Sequence, residues 1–120
     1  MSIKSFRDLR VWQAAMEFVE AVYHLTHMFP KHEVYGLASQ TQRAAVSVAS
    51  NIAEGHTREH IKEYLHHLSI AQSSLAETET QLEIAARLKY LSPEQLSEIL
   101  KQAAALGKQL YALRNALVRG

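Results

Sequence analysis

The sequence has no cysteine, only two prolines and only four glycines. The missing cysteine removes disulfides and thiolate metal sites together. Pro30, Gly55 and Pro93 stand near the breaks that hydrophobic periodicity proposes independently. No apolar run is long and clean enough to cross a membrane: Leu37 to Ala53 carries Arg43 as its single charge, but it also holds Ser, Thr, Gln and Asn, which are costly in hydrocarbon. The opening MSIKSFRDLR lacks the apolar core and cleavage site of a signal peptide, so a cytoplasmic location is expected. At 120 residues, 48% hydrophobic and 21% charged, the chain 1–120 fits one soluble domain. A net charge of +1 gives no global field for nucleic acid, and a local basic patch would have to meet any such partner.

What is present is helical period. Leu9, Trp12, Met16, Val19, Tyr23 and Thr26 step by three and four against a polar stripe of Arg10, Gln13, Glu17, Glu20, His24 and His27. A second apolar row, Val11, Ala15, Phe18, Val22, Leu25 and Phe29, widens the face so that it touches two neighbours. The first row is read as the main core row, with Trp12 as a core aromatic. A long helix from Arg58 to about Lys89 buries Ile61, Leu65, Leu68, Leu75, Leu82 and Ala86, and spans roughly 50 Å. Ser92-Pro93-Glu94-Gln95 supplies an N-cap serine, a proline at the first helical position and a capping-box glutamine. The last helix carries Leu96, Leu100, Ala103, Leu106, Leu110, Leu113 and Leu117 on a near-heptad row. The spacing predicts an all-α, antiparallel up-and-down four-helix bundle with helices over about 7–28, 35–54, 58–89 and 93–118.

The second of these helices has little charge on any side. Leu37, Thr41, Ala44, Val48 and Ile52 form its core row, Ala38, Ala45, Ala49 and Ala53 fill its flanks, and Gln40, Arg43, Ser47 and Ser50 occupy the outer face. Such a helix is normally buried on most sides, and one bundle leaves each helix an outer face. A subunit interface follows as the expectation, using Arg43, Ala45, Ser47, Ala49, Ser50, Asn51 and Glu54, with Glu79 of the next helix as a structural polar residue that helps maintain assembly. The run SVASNIAEGHTR, Ser47 to Arg58, is then a helix end and a turn, with Gly55 expected as a left-handed C-cap. Ser47, Ser50 and His56 have no sequence context that makes a nucleophile and base, and no GxSxG elbow occurs.

Other chemistry is sparse. Glu63-Tyr64-Leu65-His66 is a single Glu-x-x-His motif, whereas a dimetal bundle needs a pair. His56, His60, Glu63 and His67 align on one helix face but extend over roughly 16 Å, too far to surround one ion. A solvated histidine face is the simpler reading, and a site of His60, Glu63 and His67 shared across subunits is the metal-dependent alternative. Glu79 falls on the seam between Leu75 and Leu82 and needs a partner if buried, for which Arg43 is the candidate. Lys101, Lys108, Arg114 and Arg119 close the chain without an acid, and Arg7, Arg10, Arg58 and Lys62 extend that patch if packing gathers them.

DLRVWQ (Asp8 to Gln13), YGLASQ (Tyr35 to Gln40), RAAVSVASNIAEG (Arg43 to Gly55) and SLAETETQLEIA (Ser74 to Ala85) together resemble the four-helix-bundle family first named for proteins encoded in intervening sequences of bacterial 23S ribosomal RNA genes. The resemblance covers nearly the whole chain. It implies a ring-like homopentamer, and a related accessory protein of diversity-generating retroelements binds nucleic acid and a reverse transcriptase. Gln42 stands where an arginine is common in that family, and Ala49 where a helix-kinking proline is common, so the second helix is expected straight. The chain is therefore expected to be a non-enzymatic homo-oligomer without cofactor, with RNA, DNA or a protein as partner.

Overall fold

Four helices carry the chain in a computed structural model that describes residues 5–120. They are α1 (Arg10–Thr26), α2 (Leu37–His56), α3 (Ile61–Arg87) and α4 (Pro93–Arg119), with 3-10 turns at Phe6–Asp8 and Lys31–Glu33. Cross-helix hydrogen bonds fix their directions. Gln42 of α2 donates to Thr26 at the end of α1, Ser47 and Asn51 of α2 meet Ser74 and His67 of α3, and Arg114 of α4 donates to Gln72 of α3. Gln95 of α4 reaches Met28 just past α1. Each neighbouring pair is antiparallel, and the bundle measures 45 × 25 × 21 Å.

Phe18 and Val22, Val48 and Ile52, Leu68 and Leu82, and Leu106 and Leu110 supply a fully buried pair from each helix in turn. Each such side chain contributes about 1.5–3 kcal/mol relative to exposure. The polar residues Thr41 and Thr78 share this interior by donating to carbonyls one turn back, those of Leu37 and Ser74. Gln81 donates to Glu77 at 3.2 Å, and its buried Oε1 has no partner among the described residues.

The two apolar rows of α1 exchange roles. Val11, Ala15, Phe18 and Val22 are buried, whereas Trp12 and Val19 are half-buried and Met16 and Tyr23 are exposed. Trp12 is not a core aromatic but packs edge-on against Phe6, centroids 5.3 Å apart. Small side chains decide the outcome: Ala15, Ala45 and Ala49 belong to one core cluster and let the helices approach inside the subunit. Ile61, expected in the α3 core, is exposed at the start of that helix.

The boundaries also differ from expectation. Ser5 and Asp8 close a capping box around a separate 3-10 turn, and extended Leu9 (φ −74°, ψ 127°) delays α1 to Arg10. Gly55 is not a left-handed cap; α2 continues through it to His56. A Cβ on Gly55 would lie 2.9 Å from His67 Cβ and 2.9 Å from Tyr64 Cδ1, so glycine there permits close contact with α3. The left-handed position falls instead on Lys89, with φ 69°. Its N–H donates to the Ala86 carbonyl and that of Tyr90 to the Ala85 carbonyl, a Schellman motif with lysine where glycine is usual. Ser92 and Gln95 then form the expected capping box, with Pro93 opening α4.

At that end of the bundle, Glu33 ties the α1–α2 turn to the α3–α4 turn. Its Oε1 accepts from Leu37 N–H at 3.0 Å and its Oε2 from the Tyr90 hydroxyl at 2.9 Å. The Leu37 N–H and then the Tyr90 hydroxyl hold the Glu33 carboxyl below its ordinary value, desolvation opposes them, and His32 adds a further lowering.

Candidate functional site

The exchange of rows on α1 leaves an apolar groove beside α2. Trp12, Met16 and Val19 form one wall, Val46, Ser50 and Ala53 the other, and Ala49 lies between them, enclosing about 340 Å³. Met16 and Val46 remain 40% and 39% exposed, values that decide the character of the surface: large apolar side chains in contact with water. The expected interface on α2 is thereby redrawn. Ala45 and Ala49 are buried within the chain between neighbouring helices, and Ser47 and Asn51 are engaged with α3, whereas Arg43, Val46, Ser50 and Glu54 face outward. Val46 was missed by sequence reasoning, although its apolar side chain three residues after exposed Arg43 carried the signal.

Glu79 and Arg43 do not meet within the chain. Arg43 is exposed, Glu79 is half-buried, and neither makes a hydrogen bond or ion pair with a described residue. Burial, and then the neighbouring Glu83 carboxylate, raise the Glu79 carboxyl above its ordinary value. Gln42, where the resembled family often has arginine, is spent on Thr26 at 2.9 Å.

A polar relay crosses the α2–α3 seam. Ser74 Oγ and Ser47 Oγ are 2.7 Å apart, Asn51 Nδ2 donates to Ser47 O and Oγ at 2.9 and 3.1 Å, and Asn51 Oδ1 lies 2.9 Å from His67 Nδ1. Beyond it, where the chain turns from α2 into α3, Tyr64 packs edge-on against His56 at 5.9 Å, and burial raises its phenol above the ordinary value. His60, Glu63 and His67 do not converge with any further ligand: among the described residues no three His, Cys, Asp or Glu side chains are placed to hold one metal ion.

Antiparallel packing brings the start of α1, the end of α2, the start of α3 and the end of α4 to one end of the bundle. Arg7, Arg10, Arg58, Lys62 and Arg119 sit there, with Asp8, Glu54, Glu59 and Glu63 among them, whereas Arg114 stands higher, level with Gln72 of α3. Lys101 and Lys108 lie farther up α4 and do not join the group. Arg7 is engaged by its own turn, 4.6 Å above the Phe6 ring, and Arg114 donates to Gln72 at 2.8 Å. Arg10, Arg58, Lys62 and Arg119 make no hydrogen bond or ion pair with described residues.

The fold is a small all-α four-helix bundle with an apolar groove between α1 and α2 and several cations at one end. No helix among the described residues is long and apolar enough to cross a membrane. The chain belongs to the family of 23S rRNA-intervening sequence proteins, which it matches over residues 7–112. A crystal structure of a protein of unknown function from the S23 ribosomal protein family of Bacteroides thetaiotaomicron VPI-5482 is similar, with a TM-score of 0.81 and 24% identity. The match covers 87% of this chain and 97% of that one, and at this identity it bears on the fold alone. No curated protein matches the chain.

Proposed function

We propose that the protein is a non-enzymatic module that works as a homo-oligomer, joined through the α1–α2 groove, and presents the cationic ends of its bundles to an RNA or DNA backbone. The groove carries this reading. Trp12, Met16, Val19 and Val46 form a continuous apolar surface that water covers in the single chain, and a neighbouring copy would remove it from water. A ring requires a second, different face for a head-to-tail contact. Exposed Ile84, Tyr111 and Val118, on the other helix pair, offer apolar surface for it. Five copies is the number the family resemblance implies. Assembly would also multiply the modest cationic surface of one bundle, which supports contact with a polyanion despite a net charge of +1 per chain.

Light scattering on the purified protein tests the assembly. The expected mass is a multiple of the 13.5 kDa chain, and Val46→Glu or Ser50→Glu should give smaller species because each would bury an unpaired carboxylate, at a cost of several kcal/mol. A monomeric wild type, or an unchanged mass in both variants, refutes the interface. Fluorescence anisotropy with a 23S ribosomal RNA fragment and an unrelated duplex DNA tests the second part. Binding should weaken steeply with salt, and no binding at low salt would leave a protein-interaction scaffold.

A further inference from the structure

We propose that the corner between α2 and α3 is a site for a single phosphate group, held by Arg58, Lys62 and an oriented His67. The corner is a cleft of about 560 Å³ lined by Arg58, His60, Lys62, Glu63, His66 and His67. Glu63 is its only carboxylate, and both fixed cations are free of other partners among the described residues. The relay described above sets the His67 ring. Asn51 Nδ2 donates to the Ser47 backbone carbonyl at 2.9 Å, and a carbonyl can only accept, so the Asn51 amide has one orientation. Its Oδ1 therefore faces His67 Nδ1 at 2.9 Å, and Nδ1 must carry the proton.

Nε2 is left as the ring nitrogen without a partner among the described residues, on a side chain that lines the cleft. A proton taken up at Nε2 together with the anion leaves Nδ1–H with Asn51 and makes Nε2–H a charged donor to that anion. Together with the Arg58 guanidinium and the Lys62 ammonium, it gives three kinds of cationic donor around one volume, a set that suits the several oxygens of a phosphate. A metal fits less well, because no third ligand is placed beside His67 and Glu63. The inference rests on the nucleic-acid reading only for the source of the phosphate, which is either a phosphodiester backbone or a free phosphate.

Histidine and arginine side-chain NMR on the full-length protein tests both parts. Free His67 should appear as the Nδ1–H tautomer. Asn51→Ala should release it to Nε2–H, and Asn51→Asp, which keeps the acceptor, should restore Nδ1–H. An Nε2–H tautomer in the wild type would overturn the orientation. Inorganic phosphate should shift His67 and Arg58 saturably. Lys62→Glu, on an exposed residue, should weaken that binding about tenfold or more, the worth of a charge-assisted hydrogen bond. A short single-stranded DNA is the second probe. Saturable shifts with both probes support the site and the nucleic-acid reading; shifts with phosphate alone support the site and remove that reading. If DNA shifts Arg10 or Arg119 while both probes leave His67 and Arg58 unmoved, the site is overturned and the broader reading survives. No shift with either probe overturns both.

Discussion

Replacing Gly55 with alanine opposes two effects whose sizes the structure sets. Alanine is the better helix former by about 1 kcal/mol in a helix interior, and less than that in the last turn of α2. Against it, the new Cβ would stand 2.9 Å from His67 Cβ, 2.9 Å from Tyr64 Cδ1 and 3.3 Å from the Tyr64 carbonyl. The His67 Cβ and the Tyr64 carbonyl are fixed to the α3 backbone and cannot swing aside, so the helices must separate. Overpacking of this kind costs about 1–3 kcal/mol. The net expectation is a loss of about 1–2 kcal/mol, or a fall in Tm of about 4–8 °C for a chain of this length. Thermal unfolding followed by circular dichroism, at one protein concentration for both proteins, measures it. The substitution should also disturb the His67–Asn51 hydrogen bond, since the same α2–α3 contact carries it. An unchanged or raised Tm would mean that helix propensity governs this position and that the close approach is not structural.

Lys89 provides the converse case. Lys89→Gly relieves a left-handed backbone at a residue with a Cβ and should stabilise the protein by about 0.5–1 kcal/mol, measured as a small rise in Tm, where a fall would contradict the Schellman geometry. Glu33 couples the two turns to pH. Because its folded-state carboxyl lies below the ordinary value of 4.5, its contribution is present above that value and is lost as pH falls through the lower folded value. Glu33→Gln should therefore destabilise at neutral pH, and the gap from wild type in urea titrations should close in acid; a constant gap would refute the assignment.

The helices and the α3–α4 turn were legible because hydrophobic period and the Ser92–Gln95 box are local signals. The choice between the two apolar rows of α1 was not, since both repeat at helical spacing and only the approach of α2 separates them. The alanines of α2 were read as marks of close approach at a subunit interface, and for Ala45 and Ala49 the close neighbours are helices of the same chain. Gly55 misled for a related reason. Glycine near a helix end signals either a left-handed cap or a close contact, and the deciding Cβ distances involve residues about ten positions away along α3. The Ser74–Ser47–Asn51–His67 relay joins residues on two helices, and no spacing rule along one of them contains it.

Each helix packs against its successor, and the contact of α1 with α4 and the Glu33–Tyr90 hydrogen bond join the two helix pairs. Topologies of this kind have low contact order and fold on the scale of about microseconds to milliseconds. Encounters between copies depend on concentration and are slower in dilute solution. If copies associate as proposed, a newly made chain would complete its interior first and meet them with the groove already formed, so that the proposed assembly would select among finished surfaces rather than template them. Dilution would then set how many copies associate while leaving the helical content of each intact.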